Sequence, residues 1–361
     1  MSAILGEPII KQTMTADEWL QAWFDKNQSV NSVGVAKTTL SHFRKFILEK
    51  YPGVEEQKII GEIRQAKDNT VYVFLNQFVQ YLNKTVNKPK SIRNYYGFLK
   101  SYLRAQGIMI INDYAKTMVQ IPKVIEPEKK ALEISNIQTI MSFASPRRRA
   151  YYLCLVSSMA RPREVLQWKK KYLVMPEDES LPILVRMPAP ITKNRIKRET
   201  YISHEAWVAL KPIWNQKGEE AYLFCEEYHP KKSLAAEEHY FQKIRRQCGY
   251  TEKTDGSPRY QVNIYSLKSF CFSVASDHVG ADYARALAGH KGYMQTYYTK
   301  TPEQRRQTYL ALMPHVTVSD ESRKDTIIRE KDMELARTKN LESELEKIKV
   351  KLARLEKMKA T

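Results

Sequence analysis

The sequence predicts a mainly α fold with a small β-sheet (α+β), built as two globular units followed by a C-terminal amphipathic or coiled-coil helix. Three observations carry this. Helical apolar spacing runs through the first third of the chain. Only one stretch, ILVRMPAPITKNRIKRETYIS, sets apolar and β-branched residues on either side of a basic turn. Near the end, Leu341, Leu345, Ile348, Leu352 and Leu355 recur at alternating spacings of four and three. A chain of 361 residues also exceeds one ordinary core. The expected boundaries are a helical unit at 1–117, a linker at 118–131, a mixed unit at 132–318 and the terminal helix at 319–361.

In order along the chain, Thr15-Ala-Asp-Glu18 reads as a capping box opening a helix with Trp19, Leu20, Trp23 and Phe24 on one face. A second helix carries Leu40, Phe43, Phe46 and Ile47, and a third spans Val71 to Leu82. A fourth begins near Ser91 with Ile92, Tyr95, Tyr96, Leu99, Tyr102 and Leu103 and ends near Gly107. Pro122, Pro127 and the charges of KVIEPEKK then break helical periodicity. Helices are expected at 133–144, 148–159 and 162–169, then the β segment, then further helices from His204 to Met313.

The formal charge is +19, an excess that points to a polyanionic partner, above all nucleic acid. Residues 320–361 hold twelve Lys/Arg and ten Asp/Glu, so almost all of that excess sits on the two globular units. Lys90, Arg93, Lys100 and Arg104 lie on or beside the fourth helix, suited to phosphate contact or to a solvated face. Four cysteines, Cys154, Cys225, Cys248 and Cys271, are too scattered for a zinc site or a disulfide framework. No apolar run is long enough to span a bilayer, and the N-terminus lacks a signal-peptide pattern. The expectation is a cytoplasmic, nucleoid-associated protein without membrane partners.

Cutting a phosphodiester without a metal needs a nucleophile, cations to hold the extra negative charge, and an acid for the leaving oxygen. Candidates occur in order. SMARPREVLQW sets Arg161 after an apolar helix, with Glu164 in the next turn. TKNRIKRETYIS carries Lys193 and, five residues later, Arg198. IYSLKSFCFSVAS contributes Tyr265 and Lys268. ALAGHKGYMQTYYTK contributes Gly289-His290, with Tyr297 and Tyr298 seven and eight residues further on. This ordered set resembles the lambda-integrase-type tyrosine recombinases, and in its Tyr-Ser-x-Lys box it looks like an archaeal member. The resemblance covers residues 13–318 and leaves the tail outside.

The resemblance implies a helical, SAM-like core-binding domain and a tyrosine recombinase catalytic domain that close on double-stranded DNA. Arg161, Lys268 and His290 would hold the scissile phosphate, with Tyr265 assisting. Lys193 would protonate the leaving 5′ oxygen, Arg198 would touch DNA from the return strand, and Tyr298 (or Tyr297) would form a 3′-phosphotyrosine. Bond energy kept in that ester makes ATP, metal and any other cofactor unnecessary. Two rounds of strand exchange would need a homo-tetramer on synapsed sites, aided by the tail. The chain departs from the family pattern at two positions, where Tyr265 stands for histidine and Lys268 for arginine. An ammonium is a point charge and lacks the two-pronged grip of a guanidinium. Two other readings therefore stay open: a DNA-binding protein of the same fold with a decayed site, and a topoisomerase using the same chemistry on one duplex.

Overall fold

The computed structural model describes residues 14–27, 30–66, 69–124, 131–178, 181–229, 232–254, 259–290 and 300–359. The chain divides into two compact units, 1–126 and 127–361. Both tyrosines considered as nucleophile, Tyr297 and Tyr298, lie outside the described residues, as does part of the expected linker.

The first unit is all α: α1 (Ala16–Asn27), α2 (Val30–Lys50), α3 (Glu56–Gln65), α4 (Thr70–Thr85), α5 (Pro89–Ala105) and α6 (Asn112–Met118). The capping box forms as expected. The Thr15 amide donates to Glu18 Oε2 at 2.8 Å and the Glu18 amide donates to Thr15 Oγ1 at 3.2 Å. Apolar residues at helical spacing converge on an aromatic core, in which Phe43 meets Phe74 and Phe78 edge-on. Six helices stand where the periodicity suggested four. The added α3 and α6 are ten and seven residues long, too short for spacing alone to separate them from loops. Helix α3 is held from outside by Glu56, which accepts from Tyr102 Oη at 2.9 Å and from Arg44 Nε at 3.0 Å.

The second unit begins with α7 (Ile134–Ser142), α8 (Pro146–Ser158) and the short α9 (Pro162–Val165). The strands β1 (Leu173–Val174), β2 (Ile183–Met187) and β3 (Arg198–Ile202) follow. They form one antiparallel sheet in the order β1-β2-β3, with Val185 opposite Thr200 and Met187 opposite Arg198. The two-residue β1 was not expected, since so short a strand has no alternation to read. Five helices complete the unit: α10 (His204–Asn215), α11 (Lys232–Gln247), α12 (Ile264–Val279), α13 (Ala281–Leu287) and α14 (Pro302–Val316). A long α15 (Asp320–Lys359) follows them. Helix α8 is the axis of this unit. From Ala150 to Ser158 every residue is buried, so it has no polar face. It packs against α10, α12 and β3. Among the described residues no helix is long and apolar enough to cross a membrane.

Candidate active site

Four separated segments come together around Arg161, Glu164 and Arg198. Helix α8 ends at Met159, a fully buried residue in the left-handed region at φ 54°. Methionine is disfavoured there, and its side chain is held in the core. The reversal is fixed by Ser158, whose hydroxyl accepts the Ala160 amide at 3.1 Å, and by Tyr151, whose hydroxyl donates to Pro162 O at 2.9 Å. Arg161 thereby caps α9, with Pro162 at the first helical position, where a missing N–H costs nothing. Three residues on, Glu164 reaches back and accepts the Arg161 amide at 2.8 Å and its guanidinium at 3.0 Å.

Glu164 is 2% exposed and does more than cap. It accepts from Arg198 Nη2 at 2.8 Å and from the backbone amide of Lys193 at 3.1 Å. The connection between β2 and β3 is thus stitched to α9. Inside that connection Thr192 accepts the Ile196 amide at 3.1 Å, and Arg195 takes a left-handed turn at φ 56°. Lys193 itself is exposed, between the pocket-lining Thr192 and Asn194.

The end of α13 is tied to the same hairpin. Its C-terminus is a Schellman turn: the His290 amide donates to Arg285 O and the Gly289 amide to Ala286 O, both at 2.9 Å. Gly289 sits at φ 73°, and a Cβ there would lie 2.9 Å from Arg198 Cδ. Two independent constraints, backbone and packing, therefore demand glycine. Asn194 closes the contact by donating to Gly289 O at 2.8 Å. Arg161, Thr192, Asn194, Ile196, Arg198 and Gly289 line one small pocket.

Helix α12 supplies the remaining candidates. Asn263 caps it, accepting the Tyr265 amide at 3.0 Å, and Tyr265 and Lys268 stand one turn apart on one face. Burial first, then repulsion from Arg161 and Arg198, lowers the Lys268 amine to about 7 against the pull of Glu164. His290 is lowered by burial and by Lys268, Arg161, Arg285 and Arg198, and its ring rests against Phe272. Burial raises the Tyr265 phenol, with Arg161 and Arg163 opposing. Burial also works to raise Glu164, but Arg198, Arg161 and two backbone amides outweigh it and hold the carboxyl low. One carboxylate thus faces three cationic side chains, and the pocket carries a net positive field that an anion would relieve.

Arg198 is placed differently from the expectation of a DNA-touching residue. It is 3% exposed and its guanidinium is engaged by Glu164, so it acts from the pocket floor. Sequence reasoning passed over Thr192, Asn194 and the joining role of Glu164. The only available signal for the last was an acidic residue three positions after Arg161, which by itself reads as a helix cap. In the first unit Lys90 and Arg93 are exposed at the start of α5. Lys100 and Arg104 both donate to Asn112 Oδ1, at 3.2 and 2.9 Å. Burial, then Arg104 and Lys116, lowers the Lys100 amine, so this end of α5 is a dense cationic cluster. Among the described residues no group of three or more His, Cys, Asp or Glu side chains is gathered as metal ligands.

The order of a helical unit followed by an α unit with a three-stranded antiparallel sheet is similar in fold to solved integrase structures. Solved structures bear out the fold. A lambda integrase dimer bound to a COC′ core site superposes with a TM-score of 0.54 at 15% identity, over 78% of this chain and 97% of that one. A lambda integrase tetramer bound to a Holliday junction gives 0.55 at 14%, over 81% and 84%. The Tn1549 transposon integrase in complex with transposon right end DNA gives 0.53 at 14%, over 81% and 98%. No family model matches the sequence. No curated protein matches it either.

Proposed function

We propose that this chain is a site-specific DNA recombinase of the integrase type, cutting and rejoining duplex DNA through a 3′-phosphotyrosine. The observation that carries the reading is the cationic cluster of Arg161, Arg198 and Lys268 about the buried Glu164, with His290 within its field and the Lys193 backbone tied to the same carboxylate, next to one small pocket. A phosphodiester at its mouth would meet the Arg161 guanidinium that lines it, within the field of the Lys268 ammonium and the His290 imidazole. These groups stabilise the charge that builds on the non-bridging oxygens as phosphorus becomes five-coordinate. The family resemblance favours Tyr298 as the nucleophile, with Tyr297 as the alternative. The phenolate oxygen bonds to phosphorus, the 5′ oxygen leaves, and Lys193 gives that oxygen its proton. Attack by a partner strand's 5′ hydroxyl runs the same steps backwards, so the ester bond energy is kept and no nucleotide cofactor is consumed.

Lys90, Arg93, Lys100 and Arg104 would grip the backbone of the same duplex, giving salt-dependent affinity without base readout. Two strand exchanges on paired sites would then require four copies.

Covalent trapping tests the reading. The protein is incubated with nicked suicide duplexes of mixed sequence in EDTA and run on a denaturing gel, beside Tyr298→Phe and Tyr297→Phe. A DNA-shifted band lost only in Tyr298→Phe is the expected result. Tight binding with no adduct on a cognate duplex would instead favour a DNA-binding protein whose site, with lysine at 268, no longer cuts. Supercoil relaxation without a defined site would point to a topoisomerase.

A further inference from the structure

Helix α15 runs unbroken from Asp320 to Lys359, about 60 Å at the α-helical rise. Its base is fixed to the second unit. Glu205 of α10 accepts the amides of Val318 and Ser319 at 2.6 and 2.9 Å, and Gln138 of α7 donates to Val318 O at 2.9 Å and to Asp320 Oδ1 at 3.3 Å. Beyond that base the helix carries an apolar stripe with no cover from its own chain: Leu341, Leu345 and Ile348 are 63, 56 and 56% exposed. The stripe carries no aromatic residue and the flanking charges mix acidic with basic, unlike the Lys/Arg-rich, Trp/Phe-bearing helices that lie on membranes.

We infer that this stripe is the seam of a parallel, in-register two-stranded coiled coil with a second copy of the chain, formed without DNA. The heptad register sets Leu341, Ile348 and Leu355 at d and Leu345 and Leu352 at a, so a parallel pair stacks five like layers. Charge selects the partner and its direction. Glu344 falls at g and Lys349 at the following e, so each Glu344 faces the partner copy's lysine at position 349. Lys351 at g and Glu356 at e repeat the match with signs exchanged, as do Arg337 and Glu342 one heptad earlier. The only competing contact described is an exposed Lys349–Glu346 approach of 3.8 Å within one helix, a geometry that holds little energy. Thr338, Lys331 and Lys324 occupy the three preceding a positions, which ends the apolar seam near residue 338. An antiparallel pair centred on the same leucines sets Lys349 against lysine and Glu342 against glutamate. Sliding one heptad removes that repulsion but leaves Leu355 opposite Thr338. The seam is short for a free peptide, but each helix is already nucleated at its fixed base. This dimer does not depend on the strand-transfer reading.

The test uses the full chain, freed of nucleic acid, in sedimentation equilibrium. The parent is expected to pass from monomer to dimer with concentration. Glu344→Lys alone and Lys349→Glu alone should each weaken the dimer about tenfold, because two attractive pairs become repulsive. An equimolar mixture of the two variants should restore parental affinity, since in the parallel register every pair across the mixed dimer is again opposite in charge. A parent monomeric at all concentrations would overturn the inference, and so would a trimer. A mixture no tighter than its components would also sink it, because an antiparallel pair leaves half its matches repulsive in the mixture. Leu345→Asp, at an exposed position, should abolish the dimer with unchanged helicity.

Discussion

Lys268 makes the sharpest demand on stability. Its amine has an ordinary value of 10.5 and is lowered to about 7 by burial beside Arg161 and Arg198. A folded value below the unfolded one means stability is complete above the unfolded value and is lost as pH falls towards 7. The loss at pH 7 is on the order of 4 kcal/mol. Replacing Lys268 by methionine keeps the length of the stem and removes the charge, so Lys268→Met should stabilise the second unit by about that amount at pH 7. The gap should shrink to about 1 kcal/mol at pH 9.5, where the parent amine is neutral when folded and mostly charged only when unfolded. Urea midpoints read through hydrogen exchange of α8 and α12 isolate the second unit from the first. A gap independent of pH, or a variant less stable than its parent, would refute the electrostatic account of the pocket. The same variant should lose covalent adduct formation. Lys268→Arg, which cannot shed its proton, should be less stable than the parent and yet form more adduct.

Binding of a phosphate should draw Lys268 back towards its ordinary value, so DNA binding between pH 7.5 and 9 should take up about one proton. Calorimetry in Tris and HEPES, whose ionisation enthalpies differ, measures this as a buffer-dependent enthalpy. Gly289→Ala places a side chain against Arg198 at a positive φ, and should cost about 2–4 kcal/mol of stability by thermal unfolding. Glu164→Gln removes the charge that holds Arg161 and Arg198, costing about 3–5 kcal/mol and lowering adduct yield. His315 stacks on His278 with ring centroids 3.5 Å apart, and burial, His278 and Arg323 lower its imidazole. Stability is therefore complete above pH 6.5 and falls as pH drops below it; His315→Gln should flatten that slope in acid titrations of the urea midpoint.

The fold was legible where apolar spacing was long. Helices α1, α2, α4 and α5 were marked by aromatic and aliphatic residues at three and four, whereas α3 and α6 were not, because their order comes from outside contacts such as Tyr102 on Glu56. The hairpin was legible from β-branched residues around a basic turn, but β1 was not, since two residues carry no alternation. The resemblance to the recombinase motifs singled out Arg161, Lys193, Lys268 and His290. It could not show that Lys193 is tied in through its backbone amide, because any residue offers an N–H. Nor could it tell a buried arginine from a DNA-facing one. Arg198 follows a run of exposed basic residues, and only the pairing of Met187 with Arg198 across the sheet turns its side chain inward.

That inward turn has a consequence for lysine at position 268. Arg198 and Arg161 already supply two permanent charges beside one carboxylate, so a third guanidinium on α12 would add a positive charge that no protonation equilibrium could relieve. Lysine can release its proton in the free protein and recover it when a phosphate arrives. The cost of an unpaired buried cation then falls only on the unliganded state at low pH. On the proposed function, Lys268 is compatible with a working site, in which a bound phosphate would complete the charge of the pocket.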